Sequence, residues 1–205
     1  MERVRKYGLL IISIMLFIAS FAEAWYSDTL FDRLFVLYLP IPIILFGCFI
    51  TLLAANIIQI AKYKEYINFI SIGILALLVV VILFFPFRYA KAKVEVELFD
   101  AKRMEVIEMI NSGVLKPRCG DNYTLPDGYG MLSSDGDLYA HYYDEDAQVI
   151  GFWVYRGLLS GSVQVIYSTG GENLIRDHTQ THEISKIEKL KKDWYYVEMN
   201  MDYLE

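Results

Sequence analysis

The sequence predicts a multi-pass membrane protein, in which three transmembrane α-helices precede a small α+β domain with one helix on an antiparallel meander of about five strands. Three observations carry this prediction. Residues 7–22, 34–61 and 67–87 contain no Asp, Glu, Lys or Arg, giving uncharged runs of 16, 28 and 21 residues. The acidity is confined to the C-terminal part: residues 88–205 hold 13 Lys and Arg against 20 Asp and Glu, a net charge of −7. Beyond residue 130 the apolar period falls to two and stays there.

The first element is the helix of about 7–26. A helix rising about 1.5 Å per residue needs roughly 20 apolar residues to cross the hydrocarbon of a bilayer. The first run reaches that length only by extending to Tyr26 with Glu23 at the interface. Its end, Ala22-Glu23-Ala24, also has the small-x-small form of a signal-peptidase site, preceded by a basic n-region and an apolar stretch. Trp25 directly after the cut and the unbroken helical run favour a retained helix. The second helix, about 36–61, carries Pro40 and Pro42 near its start, and the third occupies about 67–87. Residues 1–92 thus form a membrane domain and residues 93–205 an aqueous one.

Basic residues collect in cytoplasmic loops. Arg3, Arg5 and Lys6 precede the first helix, and Lys62 and Lys64 lie between the second and third. These place the N-terminus inside and, after three crossings, the C-terminal domain outside a bacterial cytoplasmic membrane. Arg88, Lys91 and Lys93 on the outer side weaken the asymmetry without reversing it. Cleavage after Ala24 would leave the domain on the same side.

The spans hold few polar groups, namely Ser13, Asn56, Gln59, Asn68 and Ser71, and no charge at bilayer depth. Charges there mark ion and proton pathways, so a channel or transporter is not expected. Asn56, Gln59 and Asn68 read as headgroup-solvated residues at the cytoplasmic ends.

In the domain, residues 93–98 (KVEVEL) alternate apolar and charged, as in a short edge strand. The next stretch predicts a helix of about 12 residues, with Asp100 as N-cap, Ala101, Met104, Ile107, Ile110 and Val114 at the recurring apolar positions, and Gly113 as the stop. After the loop at 116–130, DLYAHYY, QVIGFWVYRG, SGSVQVIYS, HEISKIEKL and WYYVEMN read as the strands.

Candidate chemistry is sparse. His178 and His182 have i, i+4 spacing, but RDHTQTHEIS reads as loop or strand and lacks a third ligand, so no metal is expected. SSDGD and DEDA read as turns rather than calcium loops. STGGEN opens no clear helix for phosphate, Ser160 lacks a nucleophile frame, and Cys119 lacks a signature tying it to His141. Cys48 and Cys119 fall in different media and do not pair. The sequence therefore predicts no catalysis, cofactor or small-molecule substrate.

Aromatic density remains. Ten tyrosines fall within 123–203, and LYAHYY and GFWVYRG carry aromatics on both strand faces. Tyr139, His141, Tyr143, Trp153, Tyr155 and Arg156 are the candidate partner-binding residues, since aromatic anchors and Arg dominate protein-binding patches. An acidic domain repels nucleic acid and favours a basic protein. The expectation is a membrane-anchored, non-enzymatic binding protein, in its most concrete form an immunity-type factor neutralising a toxin. The alternative is a structural or sensory accessory subunit of a larger membrane complex.

Overall fold

The computed structural model describes residues 2–144, 147–157, 161–178 and 184–200. It divides into two compact units, Met1–Phe87 and Arg88–Glu205.

The first unit is a bundle of α1 (Glu2–Leu34), α2 (Pro40–Tyr63) and α3 (Ile67–Phe84). Among the described residues three stretches, Tyr7–Phe31, Pro40–Tyr63 and Ile67–Phe84, are long and apolar enough to cross a membrane. The first helix does not stop at residue 26, because Ser27 bonds back to the Ala24 carbonyl and nothing before Leu34 breaks the ladder. Ala22-Glu23-Ala24 therefore lies inside the helix. Residues 35–37 form a 3-10 turn, and α2 begins at Pro40, where proline's missing N–H has no helical partner to lose. Phe85 turns extended ahead of Pro86, which ends α3.

Leu16, Leu52, Leu75 and Leu78 form the bundle's core. Polar groups sit inside it: Ser13 Oγ meets Ser71 Oγ at 2.7 Å, and Asn56 Nδ2 donates to the Leu52 carbonyl at 2.8 Å. Asn56 and Asn68 are buried between the helices, a correction to headgroup solvation. The Asn56 amide closes a bond on its own helix, which lets it face inward.

The second unit contains α4 (Phe87–Asn111), β1 (Asn122–Thr124), β2 (Asp137–Asp144), β3 (Ala147–Arg156), β4 (Ser162–Ser168), α5 (Gly171–His178), β5 (Ile184–Lys191) and β6 (Trp194–Met199). Among the described residues, six strands form one antiparallel sheet in the order β1-β2-β3-β4-β6-β5. This corrects the meander of about five strands. The chain meanders through β4, crosses by way of α5 to the far edge, and returns through the two-residue turn Lys192-Asp193 to insert β6 beside β4. Helices cover both faces, α4 one and α5 the other.

The strand expected at residues 93–98 is instead part of α4. Its valines alternate, but the buried positions Ala92, Val96, Arg103, Val106 and Ile110 recur every three or four residues, apart from one gap that the partly buried Phe99 fills. That seam packs on the sheet, and the helical period prevails over β-branched alternation. Asp100 is consequently mid-helix, Ala101 and Met104 face outward, and Val114 lies exposed beyond the helix end. Gly113, with φ +72, does terminate the helix.

Arg103 occupies a core position with no exposure. Its Nη2 lies 3.3 Å from Glu95 Oε2 and 3.2 Å from the Leu132 carbonyl, and its guanidinium stacks near Phe152 and Trp194 at 5.4 and 5.9 Å. Burial pushes the Glu95 carboxyl upward, with Arg103 pulling it back.

Candidate partner-binding face

Strand β2 separates its side chains by alternation. Leu138 and Ala140 enter the core under α4, whereas Tyr139, His141 and Tyr143 lie on the α5 side. Tyr139 pairs across the ladder with Gly151 and lays its ring over that glycine. A Cβ at Gly151 would come within 2.1 Å of Tyr139 Cε1, so the ring's position requires glycine there. Tyr139 is 8% exposed, and its hydroxyl has no hydrogen-bond partner among the described residues. Burial pushes its phenol well above the ordinary tyrosine range.

The far end of α5 completes the cluster. The His178 ring stacks on Tyr139 at 5.0 Å, lies 5.0 Å from the His141 ring, and meets the Tyr143 edge at 6.5 Å. His141 packs edge-on to Tyr143 at 4.7 Å, and its Nδ1 sits 2.5 Å from Asp121 Oδ2. On the other side of Tyr139, Trp153 follows at 6.1 Å, with the Arg156 guanidinium 4.9 Å over its ring. Arg156 Nη1 also donates to Asp135 Oδ2 at 3.0 Å. The loop carrying Asp135 is clipped to β3, since Ser134 N–H donates to the Trp153 carbonyl and Trp153 N–H to Ser133 Oγ.

The result is one row, Tyr143, His141, His178, Tyr139, Trp153 and Arg156, with Asp121 and Asp135 on its rim. Tyr139 is its buried footing; Tyr143, His141 and Arg156 are open to solvent. Chemically the row offers aromatic faces, imidazole N–H and N groups, and a guanidinium, all suited to stacking and hydrogen bonding. No serine or cysteine nucleophile is hydrogen-bonded to His141 among the described residues.

Tyr155 stands apart. A register shift between Trp153 and Tyr155 puts Val154 and Tyr155 together on the α4 side, where Tyr155 is 6% exposed and lies under Arg88 at 4.4 Å. Simple alternation groups it with Trp153; the β-bulge turns it over. Sequence reasoning also missed two members of the cluster. STGGEN does open a helix, α5, because Gly171 adopts φ +73 and Leu174 and Ile175 dock on the sheet. That places His178 in the row rather than in a loop. Asp121 precedes β1, and only the β1-β2 pairing brings it to His141.

His182 and Ser160 lie outside the described residues. Among the described residues no group of three or more His, Cys, Asp or Glu side chains could hold a metal ion. SSDGD is a turn in which Gly136 takes φ +74, and Asp137 accepts from Thr124 Oγ1 at 2.8 Å. Comparison with protein families, with curated proteins and with solved structures finds no match for this chain.

Proposed function

We propose that this chain is a non-enzymatic, membrane-anchored binding protein whose acidic domain captures a protein partner through the row from Tyr143 to Arg156. The observation that carries the reading is the row itself: contiguous rings and one Arg, partly open to solvent, seated on a rigid sheet and rimmed by carboxylates. Rigid aromatic anchors bind at low entropic cost, and Arg adds directional bonds. A net charge of −7 over residues 88–205 favours a partner with a basic surface and speeds its encounter.

The three apolar helices support anchoring in a bilayer, with the loop basic residues favouring an N-terminus inside and the acidic domain outside a bacterial cytoplasmic membrane. A toxin acting at that membrane is the most concrete partner, which would make the chain an immunity-type factor. Tyr155, buried on the opposite face, is not part of the proposed surface.

The test is affinity recovery of tagged full-length protein from solubilised membranes, repeated with Tyr143→Ala and with Trp153→Ala/Arg156→Ala. Loss of the recovered partner in both variants supports the reading. A partner retained by both, but lost on disrupting the bundle through Asn56→Leu, moves recognition to the helices and makes the chain an accessory subunit.

A further inference from the structure

Helix α4 is apolar on two opposite sides. Its inner seam covers the sheet, while Val94, Leu98 and Ala101 form a second stripe facing away, with Val94 43% and Leu98 70% exposed. Their spacing of four and three residues is that of a coiled-coil seam.

We infer that this stripe pairs with the same stripe of a second copy, as a parallel, in-register helix pair. Charge complementarity identifies the occupant. With Val94 and Ala101 as d positions and Leu98 as a, Glu97 is a g position and Lys102 the e position five residues on. That is the g-to-e′ relation by which parallel helices form interchain ion pairs. Two-fold symmetry makes the pair twice, Glu97 to Lys102 of the other copy and the reverse. Both side chains are exposed, and neither has an ion-pair partner among the described residues.

The antiparallel alternative, centred on Leu98, would set Lys91 against Glu105. Those groups are engaged already: Glu105 accepts from the Tyr129 hydroxyl at 2.8 Å, and Lys91 acts on the Glu95 carboxylate. In the parallel pair, Lys91 and Glu105 fall at the flanking a positions, each opposite its own like-charged counterpart, which ends the seam after about two turns. So short a seam dimerises weakly in free solution, but confinement of both copies to one membrane raises their effective concentration. The inference is independent of the partner-binding row, which lies on the other side of the sheet.

Disulfide trapping in native membranes tests it, using full-length protein with Cys48→Ala and Cys119→Ser as background. Single cysteines at positions 94, 98 and 101 should give high dimer yields and Lys93→Cys a low one. With Leu98→Cys as reporter, Glu97→Lys should lower the dimer yield about fivefold, and adding Lys102→Glu should restore it. Equal yields at 93 and 98, no dimer at any position, or failure of the double reversal to restore would each overturn the inference. A monomeric Leu98→Cys variant shielded from a water-soluble maleimide only in bilayers would instead assign the stripe to the lipid surface.

Discussion

Replacing Gly151 by alanine is a sharp perturbation of the proposed binding face. The new Cβ would stand 2.1 Å from Tyr139 Cε1, 2.4 Å from Cζ and 2.7 Å from Oη. Carbon atoms rest near 3.5 Å, so the ring must lift by about 1.4 Å, breaking its stacking with His178 and its contact with Trp153. Overpacking of this kind costs about 1–3 kcal/mol. Tyr139→Ala alone should cost about 3 kcal/mol, at the low end for a buried aromatic because the lost hydroxyl made no bond. With the ring gone, Gly151→Ala should turn neutral or stabilise by up to about 1 kcal/mol, since alanine loses less backbone entropy in a strand. The coupling between the two sites is then about 1–4 kcal/mol. Urea unfolding of the detergent-solubilised protein, followed by tryptophan fluorescence, gives all four corners of the cycle, with Trp153 and Trp194 reporting on the domain. A cost for Gly151→Ala that is the same in both backgrounds would refute the close-approach argument.

The same packing sets several other outcomes. Tyr139→Phe should hold or raise stability by about 1 kcal/mol, because it deletes a buried hydroxyl without a partner; a clear loss would mean the hydroxyl is bonded. Arg103→Ala should cost about 3–5 kcal/mol by removing the hydrogen-bonded ion partner of Glu95 near the core and opening a cavity beside Trp194, while Arg103→Met/Glu95→Gln together should cost far less. Tyr139 and Tyr196 have phenols raised mainly by burial, so the folded domain keeps protons that the unfolded chain loses above about pH 10. Stability is therefore full below that pH and falls as pH rises beyond it, and the share of the phenolate absorbance that belongs to the buried rings should appear only with unfolding. Ser13→Val should loosen the helical bundle by leaving Ser71 Oγ only its long 3.4 Å bond to the Leu9 carbonyl, whereas Ser13→Val/Ser71→Val should recover most of the loss, as measured by thermal aggregation in detergent.

The long apolar helices were legible because absence of charge over some 20 residues has few other causes. Their ends were less so: Asp28 does not stop a helix, and α1 runs through it. Helix α4 was hidden by Arg103, a charged residue at a core position, which broke the apolar period and left KVEVEL to be read as a strand. The row on the α5 side was legible through alternation in β2, which fixes Tyr139, His141 and Tyr143 on one face. Alternation failed at Tyr155, since a bulge has no composition of its own, and at His178, since an eight-residue helix draws its stability from docking Ile175 rather than from propensity. The insertion of β6 between β4 and β5 was invisible because pairing order is set by long-range burial, not by neighbouring residues.

That insertion also dictates a timetable. The last strand in chain order is an interior strand of the sheet, flanked by β4 on one side and β5 on the other. Until residues 194–199 emerge during synthesis, β4 has an open edge and β5 has no neighbour to join. The sheet thus cannot be completed stepwise from its first strand; it closes in one late event. Any chain interrupted ahead of Trp194 leaves Val163, Val165 and Ile166 beside unpaired backbone, an aggregation-prone edge that the finished protein never shows.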